Sequence, residues 1–231
     1  MSETEISLRR GWTTGACATA AAKAAFSALI TGQFPDPVEI TLPKGQRVSF
    51  SLAKERLAET SAMAAVIKDA GDDPDVTHGA LVEVTISIDQ SSSGISFRSG
   101  EGVGTVTKVG LPIGVGEPAI NPIPREMIKN AILEVSKTNK KQVGVIVEIS
   151  IPGGEEIALK TWNPRLGIVG GLSILGTTGI VIPFSCSAWI HSIHRGIDVA
   201  RAAGVNHVGA CTGSTSETAV RQKYELPESS I

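Results

Sequence analysis

The chain has 231 residues, 42% of them hydrophobic and 19% charged, a balance that excludes a disordered polymer and provides for a packed core without staples. Lys+Arg number 21 against 23 Asp+Glu, and aromatic residues make up 4%, so a strongly basic nucleic-acid footprint and a stacking platform for single strands are both excluded. Cys17, Cys186 and Cys211 are odd in number, widely spaced and form no CxxC pair. That argues against a disulfide framework or structural zinc and for a reducing cytoplasm. Met1 to Arg10 holds no apolar run, so no signal peptide is expected. Leu166 to Ile190 is uncharged and long enough to span a bilayer, but its glycines and Pro183 interrupt it repeatedly. Buried strands joined by tight turns are the expected reading, not a membrane span.

In chain order, Thr14 to Ile30 predicts an Ala-rich helix capped by Thr13 or Thr14 and closed by Gly32, buried on most sides because Lys23 is its only charge. Val38–Leu42 and Arg47–Leu52 alternate about a turn and predict a hairpin. Leu57 to Lys68 is ambiguous. Gly79 to Asp89 predicts a strand, and Gly94 to Lys108 a strand with glycine bulges. Pro122 to Lys137 predicts a helix with Pro124 in its first turn. Val143 to Ile151 predicts a strand, with Glu156 to Trp162 as its hairpin partner.

After Asn163-Pro164 the texture changes. Apolar runs at Gly167–Gly171 and Gly179–Phe184, a helix over Ser185–Ala203, a strand over Asn206–Cys211 and a helix over Ser214–Tyr224 give βαβα order. The expectation is an α+β domain over residues 1–163, followed by an α/β, Rossmann-like parallel-sheet domain over 164–231.

Four strings can carry chemistry. Gly209 to Glu217 is a strand end running into a helix start, where free N–H groups receive anions or polar ligands. An ordinary capped turn is the plain alternative, with Glu217 complementing the helix dipole. Gly170 to Gly179 offers glycines for close ligand approach and the hydroxyls of Thr177 and Thr178; it is neither a GxGxxG fingerprint nor a P-loop. Lys68 to Gly79 packs Asp69, Asp72, Asp73, Asp75 and His78 together, which suits a hard cation, acid–base work or simply a solvated turn. Arg9, Arg10, Thr13 and Thr14 place cations at a helix N-terminus, which suits an anion. His191 and His194 lie three apart with apolar neighbours and without a third ligand, and read as structural.

Six strings occur together and in order: GWTTGACATAAAKAA at 11–25, VIKDAGDDPDVTHG at 66–79, GEGVGTVTKVGLP at 100–112, GEPAINPIPREMI at 116–128, NPRLGIVGGLSILGTTGIVIPFS at 163–185 and ACTGSTSE at 210–217. In them the chain resembles the cobalt-precorrin-5B (C1)-methyltransferase family of anaerobic cobalamin biosynthesis, with Trp12 where that family often has Tyr. The resemblance implies methyl transfer from S-adenosyl-L-methionine to C1 of a small-molecule cobalt-corrin precursor, in the cytoplasm, without nucleic acid or membrane. It also implies that the family extends past Ile231, so the chain reads as truncated at its C-terminus. The first domain would hold the substrate and the second the methyl donor.

Under that reading, Gly170, Gly171, Thr177, Thr178, Gly179, Gly213, Ser214, Thr215 and Glu217 would meet the methyl donor. Arg9, Arg10, Thr13, Thr14, Arg98, Lys108, Arg125 and Arg165 would meet substrate carboxylates. Asp69, Asp72, Asp73 and His78 are the candidate proton acceptors, and no metal bound by side chains is expected. A nucleotide-dependent oxidoreductase and a tetrapyrrole-binding module without activity are the competing readings; the first predicts nicotinamide or flavin binding, the second affinity without turnover.

Overall fold

The structure, a computed structural model, describes residues 8–226, which leaves most of the segment lacking an apolar leader outside the described residues. A two-residue strand β1 (Gly11–Trp12) leads into α1 (Thr14–Thr31). Thr13 is extended, and its Oγ1 accepts the Ala16 N–H at 3.2 Å, so the cap is Thr13 and not Thr14. At the other end Gly32 turns left-handed at φ 82° and donates its N–H to Ala28, closing the helix. Alanines make α1 thin, and a thin helix can lie close to its neighbours on every side. It packs against the strands and against α2 (Pro122–Asn139), with Lys23 reaching Glu134 at 2.9 Å.

The hairpin forms as β2 (Val38–Thr41) and β3 (Arg47–Phe50). The main sheet holds β4 (Lys54–Leu57), β5 (Ser61–Ile67), β6 (Leu81–Ile88), β7 (Ile95–Ser99) and β9 (Val145–Ser150) in the order β4-β5-β6-β9-β7. It is mixed: β7 runs parallel to β9, and the other pairs are antiparallel. Between β7 and α2 lies the two-residue strand β8 (Thr105–Val106). The core cluster joins the α1 alanines and Phe26 to Val82, Val84, Ile86, Val145, Val147 and Ile149 of the sheet and to Ile128 and Ile132 of α2. The α+β character expected of the first part is therefore present, and the structure adds that its main sheet is mixed.

Three expectations fail. The predicted hairpin partner at Glu156–Trp162 is instead a short helix, α3 (Gly154–Ala158); Gly153 at φ 73° turns the chain into a helical start. The stretch Gly94–Lys108 does not run as one strand, because residues 100–104 leave the sheet to meet the backbone of residues 151–154 and 171–172.

The third failure concerns the Rossmann-like parallel sheet, which does not form among the described residues after 163. β10 (Ile168–Val169) pairs antiparallel with β8, and β11 (Ile180–Val181) pairs antiparallel with β1. Each pair is a separate two-stranded sheet that ties the later residues back to the earlier part of the chain. Residues 206–211, expected as a strand, have no strand neighbour. The helices are as expected: α4 (Cys186–Ala202), capped by Ser185, and α5 (Ser214–Tyr224). Among the described residues no helix is long and apolar enough to cross a membrane.

Candidate functional site

Three segments far apart in sequence meet in one backbone joint. The Trp12 N–H donates to Asp69 O at 2.7 Å, and the Asp72 N–H to Arg9 O at 2.9 Å. The Arg9 N–H in turn donates to the Asp72 carboxylate at 2.6 Å. A Cβ on Gly71 would collide with the Arg9 carbonyl, so the contact requires glycine there. On the other side β1 holds β11, and the Phe184 N–H donates to Asp73 Oδ1 at 2.9 Å.

The candidate proton acceptors thus have structural partners. Asp69 takes a two-pronged contact from the Arg9 guanidinium, with Nη2 at 3.0 Å from Oδ1, and accepts the Gly71 N–H at 2.9 Å. The Arg9 hydrogen bond, followed by that of Gly71, holds the Asp69 carboxyl down at about 2. Asp72 and Asp73 receive backbone N–H groups as described. His78 is exposed; its Nδ1 accepts the Ala70 N–H at 3.1 Å, which puts the proton of the neutral ring on Nε2.

Sequence reasoning gave no role to the pair beneath this loop. Lys68 is 2% exposed and its Nζ lies 2.6 Å from Asp75 Oδ2. Thr77 donates to the same carboxylate through its N–H at 2.8 Å and Oγ1 at 2.6 Å. Burial opposes ionisation of Asp75, but the Lys68 ammonium and the Thr77 donors outweigh it and hold the carboxyl below its ordinary value. The signal was available: Lys68 directly follows the apolar run Ala62–Ile67, at the end of a central strand.

The start of α1 is covered. The Thr13 N–H donates to Gly179 O at 3.1 Å and the Gly15 N–H to Leu175 O at 2.9 Å. Thr14 Oγ1 donates to Leu175 O and accepts its N–H. Both hydroxyls are spent inside the fold, and Thr13 and Thr14 are 7% and 3% exposed. The string 170–179 is what covers them. Its Gly171 lies against the Gly102 carbonyl, Gly176 against Thr13 and Gly179 against Leu42, so these glycines serve close packing. Thr178 Oγ1 is held by Ile180. Gly170 and Thr177 are exposed, and Gly170 has open space where a Cβ would stand.

Arg165, Lys108 and Glu217 come together. Arg165 Nη2 lies 2.6 Å from Glu217 Oε1, and Lys108 Nζ donates to Arg165 O at 3.3 Å. This anchors α5 to the first part of the chain at residue 165, and not at 170–179. At the start of α5, Ser216 Oγ accepts the Gly213 and Thr212 N–H groups at 3.2 Å. A surface depression of about 470 Å³ opens there, lined by Thr212, Gly213, Ser214, Thr215, Ser216 and Ala219.

Arg125 is committed elsewhere: Nε donates to Ile120 O at 2.8 Å, Nη2 pairs with Glu117 at 2.8 Å, and the guanidinium lies over the Phe97 ring. It borders a second depression of about 380 Å³ with Lys129, Glu126 and Pro112. Arg10 is exposed, as is Arg98 on β7 opposite Glu148. Among the described residues no cluster of three or more His, Cys, Asp or Glu is arranged to hold a metal.

The CbiD family model matches residues 1–183, so the chain belongs to the CbiD family. A protein of Brucella anthropi named cobalt-precorrin-5B C(1)-methyltransferase is 62% identical over 230 residues, covering 100% of this chain and 62% of its own length. One of the same name from Bradyrhizobium is 62% identical over 224 residues, covering 97% of this chain and 60% of its own length. The chain therefore spans about three-fifths of the length of the curated relatives it matches. The crystal structure of a cobalamin biosynthesis protein, CbiD, from Archaeoglobus fulgidus is similar with a TM-score of 0.59 and 31% identity, over 94% of this chain and 68% of that one.

Proposed function

We propose that this chain takes part in S-adenosyl-L-methionine-dependent methyl transfer to C1 of cobalt-precorrin-5B, giving cobalt-precorrin-6A, in cobalamin biosynthesis in the cytoplasm. The observation that carries the proposal is the 62% identity to a cobalt-precorrin-5B C(1)-methyltransferase across the whole of this chain. The sulfonium supplies the methyl electrophile, and the protein's task is to hold two carbons in line. The depression at the start of α5 fits the donor: its free first-turn N–H groups suit a carboxylate, and its hydroxyls suit a ribose. Glu217, fixed by Arg165, stands in the first turn beside it.

Substrate carboxylates fall to Arg10 and Arg98, which are exposed, with Lys129 at the second depression; Arg125, held by Glu117 and backbone carbonyls, shapes its wall. Of the four candidate proton acceptors, the aspartates hold the joint together, and His78 turns an exposed Nε2–H outward as a hydrogen-bond donor to substrate. We place the boundary between the substrate part and the donor part at about residue 183, where the family match stops, and not at 163. Residues 164–182 are hydrogen-bonded into the first part, which supports the later boundary.

Titration calorimetry with S-adenosylhomocysteine, alongside mass detection of a methyl gained by cobalt-precorrin-5B, tests the reading. Arg10→Ala should raise the KM for the corrin without altering donor affinity, and corrin binding should weaken steeply with salt. Absence of donor binding, together with affinity for nicotinamide or flavin nucleotides, would overturn it.

A further inference from the structure

Phe184 is the residue at which the chain leaves β11 for α4, and its φ is 56°. Left-handed backbone is unusual for a bulky side chain and persists where the surroundings hold it. Packing of the ring does not hold it, because Phe184 is 63% exposed. What meets this residue is the Asp73 carboxylate, which accepts the Phe184 N–H at 2.9 Å across 111 residues of sequence. Asp73 is itself placed by its neighbours: Gly71 is wedged on the Arg9 carbonyl, Asp72 exchanges two hydrogen bonds with Arg9, and β1 is paired to β11. The acidic turn, the entry to α1 and the exit into α4 are thereby fixed to one another.

We propose that Asp73 is a positioning residue, a latch that sets the direction in which the chain departs for α4 and α5, and that it does not act on the substrate's proton. The proposal deepens the reading of α5 as the donor-binding element: the latch joins the part of the chain given to the substrate to the part given to the methyl donor. An aspartate whose carboxylate oxygen is occupied by a backbone N–H at a left-handed junction orients that junction. An asparagine keeps an oxygen acceptor in the same place, whereas an alanine has none.

The experiment compares Asp73→Asn and Asp73→Ala with the parent chain by amide hydrogen exchange at Phe184, by limited proteolysis across residues 182–186, and by turnover with S-adenosylmethionine and cobalt-precorrin-5B. Asp73→Ala should speed Phe184 exchange by roughly tenfold or more, the scale of losing a hydrogen bond to a charged group. It should also open the junction to protease. Asp73→Asn should restore both to within about threefold of the parent, a fraction of that same scale. Unchanged Phe184 exchange in Asp73→Ala overturns the latch. So does loss of turnover in Asp73→Asn with slow exchange retained, which would make Asp73 the proton acceptor. If the parent chain itself neither binds the donor nor turns over, the functional reading fails, and the latch is judged on exchange and proteolysis alone.

Discussion

Two helices of nearly equal length, α1 with 18 residues and α4 with 17, have opposite surroundings. α1 is buried along almost its whole length, on a sheet and a second helix. α4 carries the apolar stripe Trp189, Ile190, Ile193 and Ile197 at the spacing of a core-facing helix, yet each of these is exposed. Among the described residues beyond 182, Val199 and Ala200 alone are buried. Apolar periodicity therefore says that a helix is amphipathic, and not that its stripe is covered. Nearly all of the buried core among the described residues lies before residue 183, and the elements proposed to meet the methyl donor are held by few contacts, among them Arg165–Glu217 and Asp73–Phe184.

The contrast can be broken most directly at Phe26 of α1, whose ring is fully buried in the core cluster. Phe26→Ala should cost about 3–5 kcal/mol in a denaturant melt, whereas Ile193→Ala should stay within about 0.5 kcal/mol. Similar costs would erase the distinction. Next, Lys68→Met strips the partner from Asp75 in the floor of the joint and should cost about 3 kcal/mol. Adding Asp75→Leu should return much of that loss, because an apolar pair of similar volume removes the stranded charge. A double variant no more stable than Lys68→Met would show that the pair is needed for packing and not for charge.

At the weakly held end, Glu217→Gln should change stability by no more than about 0.5–1 kcal/mol, the scale of a first-turn charge. S-adenosylhomocysteine affinity should fall more than about tenfold, or more than about 1.4 kcal/mol. If melting temperature and affinity fall only in step, Glu217 is a cap and nothing further. The smallest effect is acid sensitivity at the joint. The Asp69 carboxyl is held below its ordinary value, so its contribution is complete above about pH 4 and is lost as pH falls toward about 2. Asp69 is 42% exposed, so the limb should be worth less than about 1 kcal/mol. Arg9→Ala should flatten it in pH-dependent melts; an unchanged limb would assign the acid sensitivity to Asp75.

Elements whose signals are local were legible in the sequence. Thr13, the alanines and Gly32 define α1 almost to the residue, and the turn after Leu42 defines the hairpin. β5 was ambiguous because Ala62, Ala64 and Ala65 carry no β-branched signal, although Ala62 and Ala64 join the α1 residues in the core cluster. β10 and β11 were visible as apolar runs, but their partners lie about 60 and 170 residues away, and nothing in a two-residue strand names its neighbour. The same holds at the candidate site. Residue types marked the acidic turn and the α5 start, but that Arg9 answers Asp69, or that Glu217 answers Arg165, depends on pairings made only by the fold.

Cys17 lies in the first buried turn of α1, where burial pushes its thiol up to about 12. A thiol in that state offers almost no thiolate to an alkylating reagent at neutral pH, whereas Cys186 stands exposed at the start of α4. Iodoacetamide should therefore mark Cys186 at once and Cys17 only when the alanine helix lifts away from its sheet. With half-buried Cys211 reacting between the two, the slow alkylation of Cys17, followed at one fixed pH, reports how often the molecule's core opens.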